Sequence, residues 1–123
     1  MTISFRVPLL PPSVNHYKSP RKGGGWFVSK EAKAFIEAVQ LLAPKTSIPR
    51  GSLIEVRVKY FIQRQNFLRV DLDNLGKLTF DSPVKAALIS DDRYIKRIEA
   101  EKFPVMRRED EGTVFEITQM LPL

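Results

Sequence analysis

Apolar residues recur along this chain with a period of two in some segments and near 3.6 in others, and this switching constrains the fold most. Period two is typical of strands and predicts them over residues 2–9, 52–63, 94–103 and 112–120. The helical period predicts a first helix from an N-cap at Ser29 to Pro44. A second helix is predicted to begin at Asp73 or Asn74, and Pro83 within it predicts a kink or two helical segments. The order β-α-β-α-β-β predicts an α+β fold, with two main helices on one face of a small mixed sheet of about four strands.

Length and composition set the broad class. With 123 residues, 43% of them hydrophobic and 28% charged, the chain is expected to form a single globular domain over residues 1–123. No apolar run approaches the ~20 residues that a membrane-spanning helix needs, and the start of the chain lacks a signal-peptide pattern. We therefore expect a cytoplasmic protein with no membrane partner.

Cysteine is absent and His16 is the single histidine, which restricts the chemistry. Disulfides, thiol catalysis, thiolate metal sites and multi-histidine metal sites are excluded, and a Ser-His-Asp triad is barely possible. Any catalysis must come mainly from carboxylates, lysine, arginine and hydroxyls.

The charge is basic, since 20 Lys and Arg outnumber 14 Asp and Glu to give +6. A basic chain is attracted to polyanions, of which nucleic acid is the commonest, although many small basic proteins bind none. Glu31 and Glu37 are the two acidic residues in the first third of the chain, while acidic residues concentrate later. The basic residues of that first third are Arg6, Lys18, Arg21, Lys22, Lys30 and Lys33. This asymmetry suggests a basic face beside a separate acidic site.

The acidic residues show one informative spacing. Asp71 and Asp73 are separated by one residue, so an extended backbone would point both the same way. Lys77 follows one helical turn after Asp73 on the same face. A tight turn after the helix can return Asp92 toward the sheet. Three carboxylates could therefore converge beside one lysine.

Clustered carboxylates resist ionisation unless a cation neutralises them. Oxygen ligands without histidine or cysteine suit hard cations, which predicts Mg²⁺, with Mn²⁺ as the other choice. Two such ions ~4 Å apart can clamp the attacking and leaving oxygens of a phosphoryl displacement. A nearby lysine supplies positive charge for a phosphate oxygen.

Each acidic element also has a purely structural interpretation. Asp73 could cap the second helix, with Lys77 as its i,i+4 ion pair. Asp91 and Asp92 could form a surface turn.

Five segments together resemble RusA-type Holliday junction resolvases. They are P-P-S-x-N-x-Y at 11–17, V-S at 28–29, D-L-D-N-x-x-K at 71–77, F-D at 80–81 and D-D at 91–92. The resemblance spans essentially the whole chain. It implies a homodimeric, magnesium-dependent endodeoxyribonuclease that cuts four-way DNA junctions by symmetric nicks.

The resemblance also assigns site residues. Asp71, Asp73 and Asp92 match the family's metal-binding catalytic aspartates, and Lys77 matches its catalytic lysine. Asp91 matches a neighbouring acidic residue that is expected to join the metal ligands. The residues expected to contact DNA are Lys18, Arg21, Lys22, Arg69 and Asn74.

We therefore expect a junction resolvase of DNA recombination and repair. A two-fold dimer suits this activity, because resolution needs two opposed cuts and one chain supplies one acidic cluster. The alternatives are a nuclease for flaps or forks, and a non-catalytic DNA-binding module. Two aromatic positions stay open: Trp26 could stack on a base or cover the core edge, and Phe67 could wedge into the junction or be buried.

Overall fold

The computed structural model describes residues 1–20 and 22–122, with only the backbone described at 19, 20, 26, 27 and 122. Two helices are present, α1 (Lys30–Leu42) and α2 (Leu72–Lys85). The strands are β1 (Thr2–Val7), β2 (Lys18–Pro20), β3 (Trp26–Val28), β4 (Ser52–Gln63), β5 (Ile95–Val105) and β6 (Gly112–Pro122). Short 3-10 segments lie at Val14–His16, Arg64–Arg69, Asp92–Tyr94 and Arg108–Asp110. Within the described ranges, no helix has the length and apolar character needed to cross a bilayer.

The main sheet has the order β1-β6-β4-β5. β6 runs antiparallel to both of its neighbours, whereas β4 and β5 are parallel and are connected through α2. β1 pairs along β6 from Thr2 opposite Thr118 to Val7 opposite Thr113, so the two ends of the chain meet in the sheet. The predicted α+β fold with a four-stranded mixed sheet and two main helices is confirmed.

Alternation along the strands places the core on one face of the sheet. Val58 in β4 and Phe115 in β6 are opposite each other and fully buried. Phe35 of α1 and Leu78 of α2 are buried in the same core. Burial of these apolar side chains is the main stabilising contribution, at about 25 cal/mol per Å² removed from water.

The opposite face of the sheet carries charged side chains in place of an apolar layer. Arg57 lies centrally there, with its Nε 2.9 Å from a Glu99 oxygen and 3.3 Å from a Glu55 oxygen. Phe61 and Phe103 stack on this face with their ring centroids 5.4 Å apart. The two faces of one sheet therefore differ sharply in polarity, as the alternation of β4 requires.

Several element boundaries differ from the predictions. The first strand ends at Val7, where the chain turns before Pro11, and the segment between this strand and α1, for which the periodicity predicts no element, contains the β2–β3 hairpin. α2 begins at Leu72, with Asp71 as its N-cap, rather than at Asp73 or Asn74. α1 begins after Ser29, whose hydroxyl accepts a hydrogen bond from the Ala32 amide, as predicted.

α2 continues through Pro83 as one helix, so the predicted division into two segments is wrong. Proline cannot donate to the carbonyl four residues earlier, which here belongs to Thr79. The Ser82 hydroxyl donates to that carbonyl at 3.3 Å. This side-chain donor compensates for the missing amide near the end of the helix.

The end of α2 is a Schellman motif built on an alanine. The Leu88 amide donates to the Pro83 carbonyl at 2.9 Å, and the Ala87 amide donates to the Val84 carbonyl at 3.0 Å. Ala87 has a φ of +60°, and it is the one described non-glycine residue with positive φ. Glycine is the usual residue at this position because it has no Cβ to strain.

Ala87→Gly is therefore expected to raise the free energy of unfolding by about 0.5–1 kcal/mol, which urea denaturation would measure. Ala86→Gly is the matched control, because Ala86 has an ordinary φ of −89°. Glycine at 86 should destabilise through the greater entropy of the unfolded chain. Equal losses in both variants would contradict the assignment of strain to Ala87.

Candidate active site

A surface cleft of about 450 Å³ lies between α2, the base of the β2–β3 hairpin and the turn at Asp91 and Asp92. Acidic and basic side chains line it together. The lining residues are Tyr17, Lys18, Val28, Lys77, Asp81, Val84, Lys85, Asp91 and Asp92. A cleft with both signs of charge can bind an anionic group at its lysines and a cation at its carboxylates.

Lys77 reaches the cleft from the middle of α2. Its Nζ lies 3.4 Å from Oδ2 of Asp81, one helical turn further along. The Lys77 side chain is 58% exposed, whereas that of Asp81 is 20% exposed. The ammonium group is thus accessible to a ligand while its carboxylate partner is largely covered.

Tyr17 ties this pair to the core. Its hydroxyl donates to Asp81 Oδ2 at 3.2 Å, and the residue as a whole is only 6% exposed. Burial, followed by the charge of Asp81 and its hydrogen bond, raises the pKa of Tyr17 from 10.0 to about 12. The phenol therefore retains its proton at neutral pH and acts as a donor to the carboxylate.

Asp91 and Asp92 lie on the other side of the cleft. The Asp91 carboxylate caps the 3-10 segment by accepting from the Arg93 amide at 2.9 Å. That hydrogen bond comes first among the causes that lower the pKa of Asp91, and the charges of Arg93 and Arg50 act in the same direction. Asp91 thus has the structural role of a turn cap and also lines the cleft. Asp92 is exposed beside it.

Asp71 and Asp73 are exposed at the start of α2 and do not line this cleft. Asp71 is in extended backbone at the N-cap, but its side chain makes no capping hydrogen bond. Asp73 is already helical, so the argument from strand alternation does not apply to it. Asp73 lies one turn before Lys77 on the same face of α2, as predicted.

The structural interpretations of Asp73 are not observed. The N-cap is Asp71, and the i,i+4 partner of Lys77 is Asp81. Among the described residues, neither Asp71, Asp73 nor Asp92 takes part in an ion pair. No lysine or arginine among the described residues therefore forms an ion pair with these three carboxylates.

The predicted convergence of three carboxylates at one point is not seen in the described structure. Over residues 1–20 and 22–122, no group of three or more histidine, aspartate or glutamate side chains is close enough to hold one metal ion. Lys77, Asp91 and Asp92 are brought to one cleft, whereas Asp71 and Asp73 lie toward the N-terminal end of α2. The metal-binding roles of the aspartates therefore stay predictions.

The predicted DNA-contacting residues are spread around the site. Lys18 lines the cleft, Lys22 and Arg69 are exposed, and Asn74 is half-buried in the first turn of α2. Arg21 lies outside the described residues, as does the side chain of Trp26. The basic positions that are described are accessible to a polyanion.

Phe67 is half-buried against the core in the segment before α2. The Lys102 ammonium lies 4.5 Å from the centre of its ring and donates to the Phe67 and Val70 carbonyls at 2.8 Å each. This packing lies between the two alternatives for Phe67, because the ring is held against the core but stays partly exposed. The side chain of the neighbouring Leu68, in contrast, is exposed, with 88% of the residue's surface accessible to solvent.

Three polar residues of the cleft were not among the predicted site residues, although Tyr17 and Asp81 stand in the motifs that resemble the family: they are Tyr17, Asp81 and Lys85. The i,i+4 and i,i+8 spacing from Lys77 could have identified Asp81 and Lys85. No local pattern connects Tyr17 to residues about 60 positions later, and only the tertiary fold brings them together.

The three tyrosines are expected to separate clearly in an alkaline titration. Burial raises the pKa of Tyr60 to about 12, as it does for Tyr17. Hydrogen bonds from Arg93 and Arg50, followed by their charges, lower the pKa of Tyr94 below 10.0. Ultraviolet absorbance of tyrosinate should show one early and two late ionisations.

The pH dependence of the free energy of unfolding should follow Tyr17 and Tyr60, the two tyrosines with raised pKa values. Their folded pKa values exceed the unfolded value of 10.0, so the unfolded chain loses these protons first. The free energy of unfolding should fall as pH rises from 10 toward 12. Tyr17→Phe and Tyr60→Phe should each remove one late ionisation, and an unchanged titration in either variant would contradict the assignment.

Comparison with known proteins identifies the class. A family model described as "Endodeoxyribonuclease RusA" matches residues 8–117, and the chain belongs to this family. The match covers α1, α2 and every residue that lines the cleft. Membership of the family predicted from the sequence motifs is confirmed.

Named relatives agree with this assignment. The "Crossover junction endodeoxyribonuclease RusA" of Escherichia coli (strain K12) is 30% identical over 106 residues, which are 86% of this chain and 87% of that protein. The protein of the same name from Shigella sonnei (strain Ss046) is 29% identical over the same shares. That of Enterobacteria phage 82 is 29% identical over 97 residues, or 79% of this chain and 80% of the phage protein.

Proposed function

We propose that this chain resolves four-way DNA junctions by hydrolysing one phosphodiester bond in each of two opposed strands. The observation that carries the proposal is the cleft that Lys77, Asp91 and Asp92 line together, within a chain of the RusA family. The relatives' names specify a crossover junction as their substrate.

The charges of the cleft support an anionic substrate. Lys18, Lys77 and Lys85 line it, and the whole chain carries +6. Long-range attraction from this charge would concentrate DNA at the surface and make binding fall with salt. At the cleft, the Lys77 ammonium would bind a non-bridging phosphate oxygen and stabilise the negative charge that grows during hydrolysis.

We also propose that Mg²⁺, or Mn²⁺, is the cofactor and that Asp71, Asp73 and Asp92, with Asp91 beside them, are its ligands, which requires them to come closer together than in the described structure. The fit is one of donor chemistry, because these are exposed carboxylates without an ion-pair partner in the described residues. A divalent cation supplies positive charge at the scissile phosphate and makes a bound water more acidic.

A homodimer is proposed because the described residues of one chain form one cleft with Lys77, Asp91 and Asp92, and a junction needs two cuts. Two-fold symmetry would relate two clefts as the arms of the junction are related. Size-exclusion chromatography with light scattering should give twice the chain mass of 14.1 kDa. A monomeric mass at working concentration would overturn this part of the proposal.

One observation favours a second candidate, a DNA-binding module without catalysis. Among the described residues, no three carboxylates stand together, and Asp91 is used as a turn cap. In that case DNA binding should survive removal of divalent cations, and no substrate should be cut.

The deciding experiment incubates the protein with a mobile four-way junction, a linear duplex, a flap and a fork, each with Mg²⁺ or EDTA. Paired nicks in the junction alone, lost in EDTA, are the expected result. Equal cutting of all four substrates would replace the proposal by a broader nuclease. Binding without cutting in Mg²⁺ and in Mn²⁺ would leave the non-catalytic module.

A further inference from the structure

We propose that Asp81 and Tyr17 are positioning residues for Lys77: the Tyr17 hydroxyl orients the Asp81 carboxylate, which holds the Lys77 ammonium at the cleft. This inference rests on the proposed function, because it explains how the candidate catalytic lysine is held. It assigns roles to two residues that do not themselves need to touch DNA.

A single oxygen atom joins the three side chains. Asp81 Oδ2 accepts from the Tyr17 hydroxyl at 3.2 Å, and the same oxygen lies 3.4 Å from Lys77 Nζ. Rotation of the carboxylate would disturb both contacts together. The position of the ammonium therefore depends on the hydroxyl through the carboxylate.

Tyr17 is a rigid anchor for this arrangement. Its ring packs in the core cluster that contains Phe35 and Leu78. Its carbonyl accepts from the Ser29 amide at 2.9 Å, where the hairpin joins α1. Side chains packed at interior density have little freedom, so the hydroxyl presents a fixed donor.

An i,i+4 lysine–aspartate pair alone would not fix an exposed lysine. Such pairs at a protein surface are weak, since holding two flexible side chains costs entropy and water screens the charges. A phenol donor that restrains the carboxylate removes part of that entropic cost. Because burial and Asp81 raise the pKa of Tyr17 to about 12, the donor keeps its proton at neutral pH.

The other lysines of the cleft provide an internal comparison. Lys18 and Lys85 also line it, and within the described residues neither takes part in an ion pair. Lys77 is therefore the lysine of this cleft that a carboxylate holds, whereas the Lys18 ammonium lies only loosely over the Tyr17 ring, 6.0 Å from its centre.

Carbon-13 relaxation at the lysine ε-methylene groups tests the proposal in the free protein. Tyr17→Phe should lower the order parameter of Lys77 and leave that of Lys85 unchanged. Tyr60→Phe is the matched control, because it removes a buried hydroxyl that bonds Thr79 Oγ1 at 2.6 Å in the core. Equal mobility of Lys77 in the wild type and both variants would overturn the proposal.

Cleavage provides the second readout. Under single-turnover conditions, Tyr17→Phe should cut the junction about three- to tenfold more slowly, with junction affinity unchanged, because the acting group is misplaced but still present. Tyr60→Phe should cut at the wild-type rate. Weaker junction binding at an unchanged cleavage rate would assign Tyr17 to DNA binding and overturn the positioning role.

Asp81→Asn is the second variant, should Tyr17→Phe fold poorly. It removes the charge that attracts Lys77 and should release the lysine more completely, with a slowing of about tenfold or more. If the wild-type protein cuts no junction, the proposed function fails, while the relaxation measurement still decides whether Lys77 is held.

Discussion

Asp92→Asn is expected to reduce junction cleavage by on the order of 100-fold or more, since the amide is a poorer ligand for a hard cation than the carboxylate. Asp92 is exposed and lines the cleft with Lys77, so its oxygens are accessible to such an ion. Junction binding in EDTA should persist or strengthen, because a negative charge is removed from the DNA-facing surface. Single-turnover cleavage and gel-shift titration measure the two effects separately.

Asp110→Asn is the matched control for this variant. Asp110 also belongs to a three-residue 3-10 segment, but its carboxylate lies 3.2 Å from Arg107 Nε and does not line the cleft. Cleavage by this variant should equal that of the wild type. A rate for Asp92→Asn within threefold of Asp110→Asn would remove Asp92 from the candidate metal ligands.

Phe115→Ala should cost about 3–5 kcal/mol of unfolding free energy, the range for a large side chain removed from a packed core. The Phe115 side chain is fully buried on β6. Its ring stacks on Phe5 with centroids 4.8 Å apart and contacts Phe35 at 6.3 Å. Its removal leaves a cavity between the sheet and α1 that rigid neighbours cannot fill.

Phe103→Ala makes the same chemical change on the other face of the sheet. Phe103 stacks on Phe61 there, half-buried, and should cost about 1 kcal/mol through loss of the aromatic pair and part of its burial. Urea denaturation of both variants compares the faces directly. Similar losses would contradict the assignment of the core to the helix-covered face.

The long central strand illustrates what the sequence could predict. Residues 52–63 alternate over a span that the structure reproduces, because burial on one face selects every second side chain. The adjacent Leu53 and Ile54 interrupt this alternation, and the ladder to β5 shifts register between Ile54 and Glu55. The strong periodicity of β4 and the serine N-cap of α1 were sufficient to predict these two elements from the sequence.

Shorter and more strained elements were not predictable in the same way. The β2–β3 hairpin has only three residues in each strand, too few for a periodic signal. Asp71 and Asp73 were expected on one extended face, but α2 starts between them and changes the geometry. Lys77 and Asp92 were predicted from spacing and motif and both line the cleft, whereas the contact between Tyr17 and Asp81 depends on tertiary packing.

The pairing of β1 with β6 has a consequence for how the protein is made. Thr2 is opposite Thr118, so during synthesis β1 has no partner in the sheet until β6, more than 100 residues later, has been made. The apolar face of β1 must stay exposed or be shielded by other segments throughout synthesis. Since closing so long a loop precedes any gain from the contacts, the complete sheet should assemble slowly and only after β6 has been made.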